Sequence, residues 1–179
     1  MRVQSMHSRI LDASPGRVAT LLASLGTDRD ELWPADRWPA CVEFDRTPAA
    51  GARGGHGLIR YVIEEYDPER RIVFRFEPGQ GLDGIHRFDV ESLADERTRL
   101  VHTLDARLDG AIRLVSPALL RMHDRTIEDV LDRAEQATAG RAPDRTRLPV
   151  WMRALNVVEA RMVQRRSVTN PPPALAGER

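Results

Sequence analysis

Lysine is absent from this 179-residue chain, and cysteine occurs only once. All 27 basic residues are Arg and they balance 27 acidic ones, so the net charge is zero. The single cysteine, Cys41, excludes an intramolecular disulfide and is typical of a reducing compartment. No base flanks its thiol, so we interpret Cys41 as a small apolar residue and not as a nucleophile.

Long apolar runs are also lacking. No stretch approaches the ~18 to 20 residues that a membrane-spanning helix needs, and the amino terminus has no apolar core of signal-peptide length. We therefore expect a soluble, cytoplasmic protein without a membrane span. Hydrophobic residues make up 41% of the chain, which is enough to fill the core of one domain.

The longest helical pattern covers residues 111–136. Its apolar residues share one arc of about 120°, and His123 lies near the centre of that arc. The pattern therefore predicts a helix with one buried face, formed by Ile112, Leu119, Leu120, Ile127, Val130 and Ala134. Pro117 predicts a kink or a short turn before the uninterrupted part of this helix.

Strand patterns dominate the chain before this helix. A first strand over 3–11 is followed by a helix that starts at Ser14-Pro15 and ends at Gly26, then by a short helix from Thr27 or Asp28 to Pro34. Alternation predicts further strands over 41–45, 58–66, 71–77, 85–93 and 97–108, with a loop over 48–55. Successive hairpins with one apolar face form an antiparallel meander. One helix cannot close so curved a sheet without leaving space, so we expect a cavity.

Two of the three tryptophans, Trp33 and Trp38, lie close together and each precedes a proline. Proline restricts both its own backbone and that of the preceding residue, so this segment is rigid. Two interpretations stay open. The indole rings form the lip of a ligand pocket, or they cap the end of the core.

The order of these elements resembles the START/Bet v 1-like superfamily, in particular its polyketide cyclase/dehydratase-like branch. The resemblance rests on Ser-Pro at the start of the first helix, on the pattern GxxRYxIxEYxPxxRIxFRF over 57–76, and on the proline-interrupted carboxy-terminal helix. It spans residues 3–139. It implies an α+β helix-grip fold, in which a curved antiparallel sheet wraps around a long helix and leaves a deep, largely apolar cavity between them.

Four polar side chains are expected to point into that cavity. Alternation places Tyr61, His86 and His102 on the concave face of the sheet, with His102 opposite Phe88, and helical spacing adds His123. Imidazoles in an apolar pocket can transfer protons, so these four are the candidate catalytic residues, with Tyr61 orienting a ligand oxygen. The alternative for each is a hydrogen-bonded core residue.

Apolar residues on the same faces complete the predicted site. The candidate ligand-binding residues are Trp33, Trp38, Ile59, Phe74, Phe88, Leu104, Leu119 and Ile127. No two histidines have the spacing of a metal-binding pair, so we predict neither a metal nor a cofactor. No Ser-His-Asp set or activated Cys can be assembled either, which argues against nucleophilic catalysis.

The carboxy-terminal part is a separate appendage. We predict a helix-grip domain over 1–140, an amphipathic helical extension over 141–166 and a flexible tail over 167–179. The extension has an apolar stripe formed by Leu148, Trp151, Leu155, Val158 and Met162. Either the protein's own sheet or a second subunit, in a homodimer through residues 148–162, is favoured to cover it. An anionic membrane surface or nucleic acid is the less favoured alternative, and no nucleic-acid partner is predicted.

Three functions are compatible with these features. The leading hypothesis is a protein that binds a hydrophobic or aromatic small molecule in the internal cavity. The first alternative is an enzyme of the cyclase/dehydratase or isomerase type that uses the cavity histidines as general acid and base, without metal. The second alternative is a protein-interaction module that acts through the carboxy-terminal helix.

Overall fold

Seven strands and three helices make up the fold of this chain. The computed structural model describes residues 1–140 and 146–169, with the side chains of the last helix as far as Met162. The elements are β1 (Arg2–Leu11), α1 (Pro15–Ser24), β2 (Glu43–Phe44), β3 (Arg53–His56), β4 (Ile59–Asp67), β5 (Arg71–Phe76), β6 (Leu82–Ser92), β7 (Thr98–Leu108), α2 (Ile112–Ala139) and α3 (Val150–Thr169).

The strands form a single antiparallel sheet in the order β1-β7-β6-β5-β4-β3-β2. The amino-terminal strand thus pairs with the last strand, and the other strands follow as a meander. Helix α2 packs on one face of this sheet, where Ile127, Val130 and Leu131 join the core. A sheet that wraps around one long helix is a helix-grip fold, so the predicted fold class is confirmed.

The pairing of β6 with β7 decides which side chains face α2. Phe88 lies opposite His102, as predicted, and His86 lies opposite Leu104. On the other side of β7, His102 pairs with His7 of β1. Directly opposite residues of an antiparallel pair project from the same face, so the three histidines share the concave face of the sheet.

Two sequence predictions about the first half of the chain are wrong. Residues 27–34 form turns and not a helix, because the Asp30 carboxylate accepts hydrogen bonds from the N–H groups of Gly26, Leu32 and Trp33. Part of the predicted loop over 48–55 is strand β3. Its Gly54 lies directly against the backbone of Glu43 in β2, where a Cβ atom has no room.

Helix α2 runs through Pro117 without the predicted turn. Proline lacks an N–H, so the carbonyl oxygen of Arg113 loses its partner within the helix. The hydroxyl of Ser116 donates a hydrogen bond of 2.9 Å to this oxygen. This local replacement lets the helix keep its first turns.

A buried carboxylate connects the tryptophan segment to α2. The side chain of Asp129 is fully buried and accepts a 2.8 Å hydrogen bond from the indole N–H of Trp38. The guanidinium groups of Arg37 and Arg125 lie 3.2 and 3.0 Å from its two oxygens. Trp33 in turn donates to the carbonyl oxygen of Trp38. These contacts hold both indoles, which are buried, against the rest of the core.

Helix α3 crosses the outside of the domain. Its Asn156 donates a 3.0 Å hydrogen bond to the carbonyl oxygen of Arg37, and its Glu159 accepts one of 3.0 Å from the N–H of Leu58. Of the predicted stripe, Leu148 packs against the core, whereas Trp151, Leu155, Val158 and Met162 are 39 to 47% exposed. Residues 170–179, most of the predicted tail, lie outside the described residues. Within residues 1–140 and 146–169, no helix combines the length and the hydropathy needed to cross a bilayer.

Replacing Asp129 by alanine is expected to destabilise the fold. The substitution leaves Arg37, Arg125 and the indole N–H of Trp38 without their shared partner, and breaking such a buried pair costs on the order of 3 kcal/mol. Urea unfolding followed by circular dichroism measures the loss. Asp105→Ala is the control, since it removes an exposed pair with Arg2 that water screens. Equal losses in the two variants would contradict this assignment.

Candidate functional site

An internal cavity lies between α2 and the concave face of the sheet. Its volume is about 160 Å³, close to that of a ~150 Å³ apolar protein cavity that accommodates benzene. All eight predicted ligand-binding residues line it, namely Trp33, Trp38, Ile59, Phe74, Phe88, Leu104, Leu119 and Ile127. Leu119 also reaches the surface, where it is 38% exposed. Trp33 and Trp38 are buried in the main core and also border the cavity.

Apart from the histidines and Tyr61, polar side chains line the cavity at two places. The hydroxyl groups of Ser116 and Thr126 in α2 donate hydrogen bonds to carbonyl oxygens of the same helix. Asn156 and Glu159 come from α3. Sequence periodicity gives no signal for these two, because the pattern of α3 marks its apolar stripe and not this polar face.

The predicted polar residues form a continuous cluster of rings. The ring centroids of Tyr61 and His86 are 4.9 Å apart, those of His86 and His102 are 5.6 Å apart, and those of His102 and His123 are 5.1 Å apart. Tyr61, His86 and His123 line the cavity, whereas His102 is buried behind them. Alternation along β7 correctly indicates the face of His102 but not its depth.

Three imidazole nitrogens in this cluster are buried and have no hydrogen-bond partner in the described part of the chain. They are Nε2 of His86, Nδ1 of His102 and Nε2 of His123. The remaining nitrogens of His86 and His102 face each other at 3.5 Å. A neutral imidazole has one N–H and one lone pair. Whichever ring donates, the pair therefore keeps one free N–H and one free lone pair.

Burial keeps the imidazoles of His56, His86 and His102 uncharged at neutral pH. Desolvation lowers the pKa of His86 and His102 well below their ordinary value, and neighbouring imidazoles add to the effect. The same cause lowers the pKa of His56 to about 4. Burial also raises the pKa of the Tyr61 hydroxyl, which remains a hydrogen-bond donor. These three imidazoles and Tyr61 thus act as neutral donors and acceptors.

Two further histidines belong to the cluster and were not predicted. His56 of β3 lines the cavity, with its Nδ1 3.4 Å from the Tyr61 hydroxyl and its ring 5.3 Å from that of Trp33. Gly54, Gly55 and Gly57 surround His56, so no alternating pattern indicates the strand that positions it. His7 of β1 faces α2, and alternation along β1 could have found it, because His7 shares a face with Val3 and Leu11.

An acidic pair on α2 lies beside His123 and His7. The Nδ1 atom of His123 is 3.2 Å from Oδ1 of Asp124, and Ser5 donates a 2.7 Å hydrogen bond to that same oxygen. The two ring nitrogens of His7 face Glu128 at 2.6 Å and Asp124 at 3.2 Å. Carboxylates only accept hydrogen bonds, so a proton on either ring nitrogen of His7 is donated to the carboxylate that faces it.

Among the described residues, no group of three or more His, Cys, Asp or Glu side chains is arranged to hold a metal ion. The cavity imidazoles stack and tilt against aromatic rings, as His86 does on Phe74 and Phe76. Their free nitrogens are able to form hydrogen bonds.

Comparison of the chain with solved structures identifies the same architecture in other proteins. Norcoclaurine synthase from Thalictrum flavum superimposes with a TM-score of 0.56 at 12% identity, over 76% of this chain and 92% of that chain. The chain has the Bet v 1-like helix-grip fold. CalU16 from Micromonospora echinospora gives 0.54 at 15% identity over 90% and 94% of the two chains. A conserved protein of unknown function from Enterococcus faecalis gives 0.55 at 17% over 92% and 86%. Comparisons with family models and with curated proteins found no match.

The neutral histidines predict that acid weakens this helix-grip domain. Between pH 7 and 5 the unfolded chain gains protons at its histidines, while His56, His86 and His102 stay neutral in the folded protein. Each such histidine lowers the free energy of unfolding by up to about 1.4 kcal/mol per pH unit. Urea unfolding at pH 7, 6 and 5 measures the slope.

His86→Gln provides the control for this pH effect. It removes one titrating group and is expected to make the slope shallower, whatever its effect on stability at pH 7. Carboxylates with lowered pKa values, such as Asp45 and Asp124, lose their contribution only below this pH range. A protein equally stable at pH 7 and 5 would contradict the buried neutral state.

Proposed function

We propose that this protein binds a small apolar or aromatic molecule that carries a hydroxyl or carbonyl group. The observation that carries the proposal is the combination of an apolar cavity with buried, unpartnered imidazole nitrogens. Pockets for small organic ligands have this composition, with few polar groups among many apolar ones. The ligand lies between α2 and the sheet.

The apolar part of the ligand packs against the aromatic wall. Phe74 and Phe88 from the sheet and Trp33 from the segment after α1 line the same space. Aromatic pairs gain from tilted or offset-stacked arrangements in addition to the burial of area. A flat ring system is therefore the shape that this wall favours.

The polar part of the ligand forms hydrogen bonds with the free nitrogens. A buried polar atom without a partner is unfavourable by about 1 to 3 kcal/mol, so a ligand that supplies the missing hydrogen bond gains affinity. A hydroxyl donates to the Nε2 lone pair of His123. A carbonyl oxygen accepts from the Tyr61 hydroxyl or, in the tautomer in which His102 donates to His86, from the Nε2–H group of His86.

Binding of 2-naphthol and naphthalene tests the two parts of this proposal separately. We expect 2-naphthol to bind about tenfold more tightly, because its hydroxyl gains one buried hydrogen bond. Trp33 and Trp38 line the cavity, so quenching of intrinsic fluorescence reports binding. In His123→Leu the preference for 2-naphthol is expected to fall, while naphthalene still binds.

A pair of matched substitutions identifies the cavity as the binding site. Leu104→Trp fills the cavity and is expected to abolish binding of both probes. Thr103→Trp places the same ring on the opposite face of the same strand and is expected to leave binding unchanged, because successive residues of a strand alternate in direction. Absence of saturable binding by the unmodified protein, or equal binding by both variants, would refute the proposal.

A second candidate function is acid–base catalysis on the bound molecule. The free nitrogens of the cavity histidines favour it, since they can exchange protons with a ligand in contact with them. One structure with the same fold is norcoclaurine synthase, whose name describes a catalyst. An enzyme of the polyketide cyclase/dehydratase-like branch, or an isomerase, remains the alternative proposal.

We also propose that the exposed stripe of α3 pairs with a second copy of this chain. The stripe of Trp151, Leu155, Val158 and Met162 is not covered by the protein's own sheet. Its apolar side chains are spaced three and four residues apart, as in paired helices. A homodimer through residues 148–162 would bury it.

Light scattering after size-exclusion chromatography measures this association. We expect a dimer for the unmodified chain and a monomer for Leu155→Asp, because a carboxylate in the apolar contact is strongly unfavourable. Arg153→Asp changes an exposed residue on another face of α3 and is expected to leave the dimer intact. A monomer at all concentrations would refute this pairing.

A further inference from the structure

We infer that His123 is the base of a proton-transfer site whose substrate is an enolisable ketone on an apolar or aromatic framework. The inference rests on the proposed function, because the substrate occupies the same cavity. It adds to that function a reacting atom, a substrate class and a path for the proton. Four observations carry it.

The first observation is that only one form of neutral His123 fits its contacts. Its Nδ1 atom faces Oδ1 of Asp124 at 3.2 Å. An ionised carboxylate accepts and never donates, so the proton of the neutral ring is on Nδ1. The lone pair is then on Nε2, which is buried without a partner in the described part of the chain, on a side chain that lines the cavity.

The second observation is that Asp124 is held in its ionised form. Its hydrogen bond with His123 contributes most to lowering its pKa, and the hydrogen bonds with Ser5 and His7 add to this, while burial acts in the opposite direction. A carboxylate on Nδ1 fixes the orientation of the imidazole and stabilises the imidazolium that forms when Nε2 takes a proton. Asp124 is thus a positioning residue.

The third observation is that the two ring nitrogens of His123 lie in different environments. Its Nε2 atom is buried, whereas the carboxylate at its Nδ1 belongs to a side chain that is 43% exposed. The imidazolium that forms when Nε2 takes a proton from a ligand is therefore stabilised by a carboxylate on the solvent-exposed side of His123, where its Nδ1 proton can exchange with water. By contrast, Nδ1 of His86 and Nε2 of His102 face each other rather than an exposed carboxylate.

The fourth observation concerns the oxygen of the substrate. The Tyr61 hydroxyl and, in the tautomer in which His102 donates to His86, the Nε2–H group of His86 are neutral donors on side chains that line the cavity. In the proposed step the C–H bond next to the carbonyl breaks, and its proton goes to Nε2 of His123. The electron pair forms a C=C bond and the carbonyl π electrons move to oxygen, which these donors stabilise. Return of a proton to carbon completes the cycle without any other reagent.

Hydrogen–deuterium exchange of 2-tetralone in D₂O tests this inference. We expect the full-length protein to accelerate exchange at the carbon atoms next to the carbonyl, as followed by proton NMR at saturating protein. His123→Gln is expected to reduce the accelerated rate at least 100-fold, as general base catalysis contributes about that much. Fluorescence quenching by 2-tetralone is measured on the same samples and shows that the variant still binds.

The substitution Asp124→Asn tests the role of Asp124 separately. In Asp124→Asn the amide oxygen still accepts the hydrogen bond from Nδ1 but carries no charge. We expect at least a tenfold lower exchange rate at saturation with unchanged affinity, a separation that a merely structural role would not produce. Asp132→Asn is the control on the same helix, since that carboxylate pairs with Arg9 and has no contact with His123.

The outcomes separate the two proposals. Saturable binding of 2-tetralone without accelerated exchange, or exchange unaffected by His123→Gln, would overturn the inference and leave the binding function standing. Failure of 2-tetralone and of 2-naphthol to bind would overturn both. If the glutamine variant does not fold, His123→Asn serves as the second test, with the same expected loss of exchange.

Discussion

The division of helix α2 into two halves is the constraint on which the rest of this structure depends. Its carboxy-terminal half joins the main core through Ile127, Val130, Leu131 and Ala134, of which Ile127 and Val130 also border the cavity. Its amino-terminal half packs less closely, since Leu114 and Val115 are exposed there. A helix against a curved sheet can make full contact over only part of its length. The hollow is the space that remains, and His123 lies in its wall.

Much of the fold and the apolar lining could be predicted from the sequence, because both depend on periodicity. A period of two along β5, β6 and β7 selects the concave face, and a period of 3.6 selects the inner side of α2. The failures occur where a side chain or a glycine overrides the local pattern. Asp30 binds backbone N–H groups and prevents a helix, and Gly54 and Gly55 conceal β3 together with His56. Which atoms of His102 and His123 remain without partners depends on tertiary contacts that no spacing encodes.

All five histidines of the chain gather around one region of the domain, although they come from five different elements. Those deep in the cavity are neutral and short of partners, whereas His7 at the edge lies between two carboxylates. The same side chain thus has different partners according to its depth in the domain. This gradient of environment, and not the number of imidazoles, is what the proposed proton transfer uses.

Helix α3 contributes Asn156 and Glu159 to the cavity wall, and each is tied to a main-chain group of the domain, at Arg37 and at Leu58. Both anchors are far in sequence from the aromatic wall and the imidazoles. Substitutions at these two positions of α3 can therefore change one side of the cavity wall while the aromatic side chains and the imidazoles of the sheet stay in place.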